Sequence, residues 1–170
     1  MEHIATALTD AISGAFGDKA VALIPGIISL FPILEMRGGL IAARILDIPY
    51  LQALITCVIG NIIPIPFILL FIRKIFSFLK RFKHLGKLVT KLEEKAMSKK
   101  HKVERNLFIG LILFVGIPLP GTGAWTGALL ASLLYMDIKK ASLAILIGLA
   151  LCAVIMSIIT YLIPYIIASV

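Results

Sequence analysis

The chain has 170 residues, of which 60% are hydrophobic and 15% charged, with a mean hydropathy of +1.05. Soluble domains run about 45–50% apolar, so this composition excludes an ordinary soluble fold and predicts an all-α polytopic membrane protein. The formal net charge of +8 belongs to one segment: twelve of the 17 lysines and arginines lie between Arg73 and Arg105, with only Glu93, Glu94 and Glu104 against them.

A short basic loop between apolar segments is expected on the cytoplasmic side of a membrane, and its charge suits anionic lipid headgroups. Nucleic acid is not an expected partner, because the aromatic residues of the segment, Phe76, Phe78 and Phe82, read as helix packing. Cys57 and Cys152 sit inside apolar runs and read as small hydrophobes rather than a disulfide or metal pair. His3, His84 and His101 all fall outside the apolar segments. No metal spacing, Ser–His pairing or paired carboxylates occur in the apolar core, so neither an enzyme nor a cofactor is expected.

Residues 1–17 place Ile4, Leu8, Ile12 and Phe16 four apart. They predict an amphipathic helix too polar to span, and the acidic start lacks the basic region of a signal peptide. A first repeat is expected over 18–74. Within it, residues 20–46 make an apolar run to Pro32, then Glu35, Arg37, Gly38 and Gly39, then a second run to Leu46. Neither run reaches the roughly 20 residues a spanning helix needs. Two short arms around a polar, glycine-rich tip predict a re-entrant hairpin, or one broken helix. Residues 50–72 are long enough to span, with Asn61, Pro64 and Pro66 predicting a kink. Residues 75–105 repeat Phe78, Phe82, Leu85, Val89 and Leu92 at three or four, predicting a helix on the membrane surface or an extension of the preceding span.

A second repeat is expected over 106–170, with a hairpin at 107–135 and a span at 141–168 that contains Pro164. The hairpin is interrupted by Pro-Leu-Pro-Gly-Thr-Gly-Ala-Trp-Thr-Gly at 118–127. Pro118 and Pro120 lack backbone donors, and Gly121 and Gly123 tolerate φ > 0. The orphaned backbone groups of such a break must meet protein, water or a ligand, because lipid cannot satisfy them. Gly38–Ala43 resembles Gly127–Ser132, and Asp47-Ile48 and Asp137-Ile138 follow with one residue of slack. A hairpin that enters and leaves on one side adds no crossing. Each half then crosses once, and the second repeat is inverted relative to the first, a plan common among transporters. Four fully spanning helices are the alternative.

Ionisable residues at membrane depth are costly and mark functional sites. Glu35 is expected to take up a proton or cation, and Arg37 to hold an anion or tune Glu35; an internal salt bridge is the plainer alternative. Arg44 and Asp47 are spaced as an i,i+3 pair, or snorkel at the interface. Asp137 reads as a helix start. The amides of Gly121, Thr122 and Gly123 could bind an anion, with Thr122 and Thr126 adding hydroxyls and Trp125 a stacking face. Alternatively Gly123 and Gly127 serve only close packing. Asn61 could line the same cavity.

The pairing of Glu35-x-Arg37-Gly38 with the run at 118–127 resembles a family of prokaryotic membrane proteins, the small multidrug export proteins. The second motif matches at every position, whereas the first reads Arg-Gly-Gly-Leu where the family has Arg-Gly-Ala-Ile-Pro. The layout is also similar to DedA-type and undecaprenyl-phosphate recycling proteins. The export family implies drug efflux, and the other two imply a lipid-phosphate substrate. With the repeat pattern, the expectation is a secondary transporter of the prokaryotic plasma membrane, working by alternating access at a midplane site between the hairpin tips. Glu35 would couple protons, while Arg37 and the Gly121–Gly123 amides would contact substrate. A cationic amphiphile and a lipid phosphate are both implied substrates. A non-transporting scaffold that binds anionic lipid is a further reading, and a homodimer would help so small a chain enclose a pathway.

Overall fold

The computed structural model describes residues 14, 17–82, 86, 87, 90, 91, 94 and 100–169. The expected helix over 1–17, apart from Gly14 and Gly17, and Leu85, Val89 and Leu92 of the basic segment fall outside these residues. An apolar chain satisfies its backbone most simply in helices, and no strand occurs among the described residues. In order they are α1 (Asp18–Ser29), α2 (Glu35–Ile45), α3 (Tyr50–Ile62), α4 (Pro64–Leu79), α5 (Lys100–Gly116), α6 (Ala124–Leu133), α7 (Ile138–Ser157), one π-helical turn (Ile158–Leu162) and α8 (Ile163–Ser169).

Two stretches, Tyr50–Ile72 and Ile138–Ile167, are long and apolar enough to cross a membrane. The first is α3 running into α4 through a turn at Ile63, where Pro64 occupies the first position of α4. A proline is tolerated there because its missing N–H would be an orphan in any case. The irregularity expected from Asn61, Pro64 and Pro66 is a one-residue turn at Ile63, whose φ −50° and ψ −48° stay helical. In the second stretch, Pro164 cannot donate to the carbonyl four residues earlier. The helix widens ahead of it, with the Ile163 N–H donating to the Ile158 carbonyl.

The chain forms two compact units, Met1–Ile63 with Leu151–Val170, and Pro64–Ala150. In the first, α1 packs on α2 and α3, and α2 packs on α3 and the π turn. Its core includes Met36, Leu40, Ala43, Ala53 and Cys57. Small residues let the helix backbones touch: a Cβ on Gly26 would lie 2.8 Å from the Thr56 carbonyl, one on Gly60 would overlap the Gly26 carbonyl, and one on Gly39 would lie 2.6 Å from the Pro25 carbonyl. This is the packing that apolar surroundings favour, since burial of side chains against lipid offers little drive. In the second unit, α6 packs on α4 and α5. A Cβ on Gly127 would lie 2.6 Å from Val115 Cγ2, and one on Gly148 2.8 Å from the Ile112 carbonyl. Hydroxyls turn back onto their own helices: Ser29 Oγ donates to the Pro25 carbonyl (2.7 Å) and Thr56 Oγ1 to the Gln52 carbonyl (2.9 Å).

The two halves share a local plan, in a register that differs from the expected one. Helix α2 ends with the Leu46 N–H on the Ala42 carbonyl and the Ile48 N–H on the Ala43 carbonyl. Helix α6 ends in the same way, with the Leu134 N–H on the Leu130 carbonyl and the Met136 N–H on the Ala131 carbonyl. Asp47 and Tyr135, the residues between those donors, both take φ 51°, which makes each a Schellman ending without its usual glycine. Equivalent residues are thus 88 apart (47 and 135), which pairs Gly39 with Gly127, Ala43 with Ala131, Ala53 with Ala141 and Gly60 with Gly148, all buried. Pairing Gly38 with Gly127 is one residue out of step. Gly38 faces Leu34 of the preceding turn, whereas the shared buried face runs through Gly39. Both linkers have the same length, 46–49 and 134–137, and in this register Asp47-Ile48 and Asp137-Ile138 are two residues out of step.

Adding bulk at a backbone contact costs about 1–3 kcal/mol. Gly60→Val and Gly148→Val should therefore each lower the thermal midpoint of the detergent-solubilised protein, followed by circular dichroism. A Cβ at Gly110 meets nothing within 4 Å, so Gly110→Ala should leave that midpoint level or raise it.

Candidate functional site

Glu35 opens α2 just after the break in the first hairpin. Pro32 biases its predecessor away from helix, and 30–34 form the turn. The Glu35 N–H bonds the Phe31 carbonyl (2.9 Å) and the Gly38 N–H the Leu34 carbonyl (2.8 Å). The tip is thus apolar and exposed, with Ile33 at 93%, not polar and glycine-rich as expected. The charged residues and both glycines instead make the first turn of α2. Gly38 is needed where Leu34 folds over it, and Gly39 where α1 and α3 close in on it.

Glu35 is 5% exposed and holds φ 48°. That conformation costs a non-glycine residue about 1–2 kcal/mol, and burying a carboxylate is expensive as well. Arg37 is half-buried. Its guanidinium lies in hydrogen-bonding reach of the Cys152 thiol, and Glu35 lies in electrostatic reach of the same thiol. Asn61 belongs to the same unit. It is 2% exposed, and its Oδ1 has no hydrogen-bond partner. A buried acceptor left so costs about 1–3 kcal/mol.

The break in the second unit is tied by its own threonine. Thr122 Oγ1 accepts the Leu119 N–H (3.3 Å) and lies 2.9 Å from the Leu119 carbonyl and 3.0 Å from the Ile117 carbonyl, as their donor. The Thr122 amide donates to the Leu119 carbonyl (3.2 Å). Both the amide and the hydroxyl of Thr122 thus bond within the loop. Gly121 and Gly123 hold φ 79° and 146°. Pro118 is half-buried, while Pro120 and Gly121 are exposed. Trp125, Thr126 and Gly127 lie on α6 rather than in the tip. Thr126 Oγ1 donates to the Gly123 carbonyl (3.3 Å), and Gly127 serves the contact with Val115.

Arg44 pairs with Asp47 at 3.6 Å, as the i,i+3 spacing predicts, and both are exposed. Asp137 starts α7, its Oδ1 accepting the amides of Lys139 and Lys140, each at 3.1 Å. Sequence reasoning missed a tyrosine cluster in the first unit. The Tyr50 hydroxyl donates to Ser157 Oγ (2.9 Å), and the Tyr50 ring meets Tyr161 edge to face, centroids 5.0 Å apart. These residues are more than a hundred positions apart, and no periodicity links them. No group of three or more metal-ligating side chains occurs among the described residues.

Two helices long and apolar enough to cross a bilayer, with a buried carboxylate and a half-buried guanidinium on one short helix, suit a helical membrane protein. The chain matches the family described as "Putative small multi-drug export protein" over residues 35–155, and it belongs to that family. No curated protein matches it, and no solved structure does.

Thr122→Val removes the loop tie and should cost about 1–3 kcal/mol. Trp125 is the sole tryptophan and lies three residues on. Its emission should shift in the valine variant and stay in place in Thr122→Ser.

Proposed function

We propose that this chain is a secondary transporter of the prokaryotic plasma membrane that exports an amphipathic small molecule in exchange for protons. Glu35 binds substrate and proton in alternation. The observation that carries this reading is Glu35 itself, a carboxylate 5% exposed at a strained φ of 48°. Strain and buried charge at one residue are what functional sites retain. Membership of the export family supports transport as the activity.

Helix lengths support a topology for this reading. Helices α1, α2 and α6 have 12, 11 and 10 residues and rise about 15–18 Å, roughly half of a bilayer core. On this reading both hairpins are re-entrant, each half crosses once, and the halves are inverted repeats. The basic segment 73–105 lies in the cytoplasm on anionic lipid. Broken helices of this kind offer free backbone groups where substrate binds, and alternating access follows. A cationic amphiphile takes Glu35 as its counter-ion. A second reading rests on Arg37, whose half-buried guanidinium suits the phosphate of a lipid carrier such as undecaprenyl phosphate.

The test uses proteoliposomes with an imposed pH gradient and a cationic dye. Glu35→Gln should lower gradient-driven dye flux at least about tenfold, the equivalent of one charge-assisted contact, while Arg37→Ala keeps part of it. Undiminished flux in Glu35→Gln would refute the role of Glu35. If Arg37→Ala alone abolishes movement of a polyprenyl phosphate, the second reading holds instead.

A further inference from the structure

Asn61 lies on α3, 2% exposed, and its Oδ1 is sealed from water with no hydrogen-bond partner among the described residues. Neither solvent nor a bulkier ligand has room at that atom, so a donor must come from the protein itself. The packing of α2 on α3 points to which group faces it. A Cβ on Gly39 would lie 2.7 Å from Cys57 Sγ, so these two residues meet across the seam. They stand at nearly equal distances from the linker 46–49, which makes the two helices antiparallel. One turn back from Gly39 is Glu35, and one turn on from Cys57 is Asn61. On antiparallel helices those steps run the same way, and each keeps to its own face. Glu35 and Asn61 therefore share one level of the seam, both buried. Arg37 stands about 200° around α2 from Glu35 and reaches the Cys152 thiol of α7 instead. Of the other groups near α2, Ser29 Oγ bonds the Pro25 carbonyl, the Cys57 thiol lies beside Ser29, and Tyr161 and Tyr50 stand toward Arg44 at the far end.

A carboxylate offers Asn61 Oδ1 only a second acceptor, whereas a protonated carboxyl offers a donor. We infer that Asn61 accepts the O–H of protonated Glu35, and that this sealed arrangement is the proton-loaded form of the site. The inference rests on the reading that Glu35 carries the proton. Loss of that proton sets two acceptors face to face, while the Arg37 cation favours the carboxylate. Asn61 is thus a positioning residue that holds Glu35 protonated in the seam, and deprotonation frees Glu35 for a cationic substrate.

Infrared difference spectroscopy of the full chain in lipid, titrated with pH, tests the inference. The band of protonated Glu35 is the carboxylic C=O stretch that Glu35→Gln abolishes. Asn61→Leu should move that band to higher wavenumber, because the O–H loses its acceptor. It should also weaken proton binding at Glu35 about three- to tenfold, the worth of one neutral hydrogen bond. Asn61→Asp keeps the shape and should act the other way, since two facing carboxyls share one proton and hold it at least about tenfold more tightly. A merely loosened fold does not give opposite shifts, and the isosteric aspartate tests the pairing even where the leucine variant unfolds. A Glu35 band and titration unchanged in both variants, or the lack of any Glu35 band, would overturn the inference. So would a band that follows sodium concentration rather than pH, which would put a metal cation between the two side chains. The spectrum reads protonation without flux. The Asn61 role can therefore fail while Glu35→Gln still lowers dye export, and it can hold while that export is undiminished.

Discussion

A carbonyl and a missing side chain hold the first unit together. The Gly26 carbonyl occupies the place where a Cβ of Gly60 would stand, and Gly39 seats against the Pro25 carbonyl between the neighbouring helices. In apolar surroundings there is little hydrophobic gain from bringing helices together, so close backbone approach and dispersion must supply the attraction. That approach fixes the depth and rotation of α2. With Gly39, Leu40 and Ala43 turned inward, Glu35 is carried inward too, four residues before Gly39 on the same face. The buried carboxylate is thus a consequence of the glycine contact, and helix packing helps to offset its desolvation and backbone strain.

The two breaks solve the same problem with different means. A helix interrupted beside lipid leaves donors and acceptors that only the protein can satisfy. After α1, the chain bridges the gap with overlapping turn bonds, Glu35 to Phe31 and Gly38 to Leu34, and it presents apolar side chains outward. After α5, two prolines remove donors outright, and the Thr122 hydroxyl gathers the groups that remain at Leu119 and Ile117. The motif at 118–127 therefore reads as a self-closing loop followed by the first turn of α6. Its glycines serve conformation at 121 and 123 and packing at 127.

Much of this was legible from residue order. Length and hydropathy marked both long apolar helices, and the prolines marked their irregularities. The short arms showed in the spacing of Pro32, Pro118 and Pro120. What misled was composition read as position. Glu-x-Arg-Gly-Gly looks like a polar tip, but Pro32 acts three residues earlier and sets the turn there. The likeness of Gly38–Ala43 to Gly127–Ser132 captured a small-residue face but slid it by one position. On a helix that is a rotation of about 100°, and only the matched helix endings at Asp47 and Tyr135 reveal it. The Tyr50, Ser157 and Tyr161 cluster joins the first long helix to the last, a contact between distant segments that no local pattern encodes.

Helix α2 carries buried charge at one end and exposed charge at the other, and the separation is informative. Glu35 and Arg37 sit in its first turn, buried or half-buried, while Arg44 sits in its last turn and Asp47 just beyond, both exposed. The exposed cation is placed to suit the helix dipole, near the C-terminus, and its attraction to Asp47 in water is small. Glu35 stands differently. An acid at the N-terminus is favoured by the same dipole, yet burial of its charge costs more than that interaction contributes. The two ends of α2 therefore differ in physical cost: the exposed Arg44–Asp47 end costs little to form, and the buried Glu35 end is held only by the packing around Gly39.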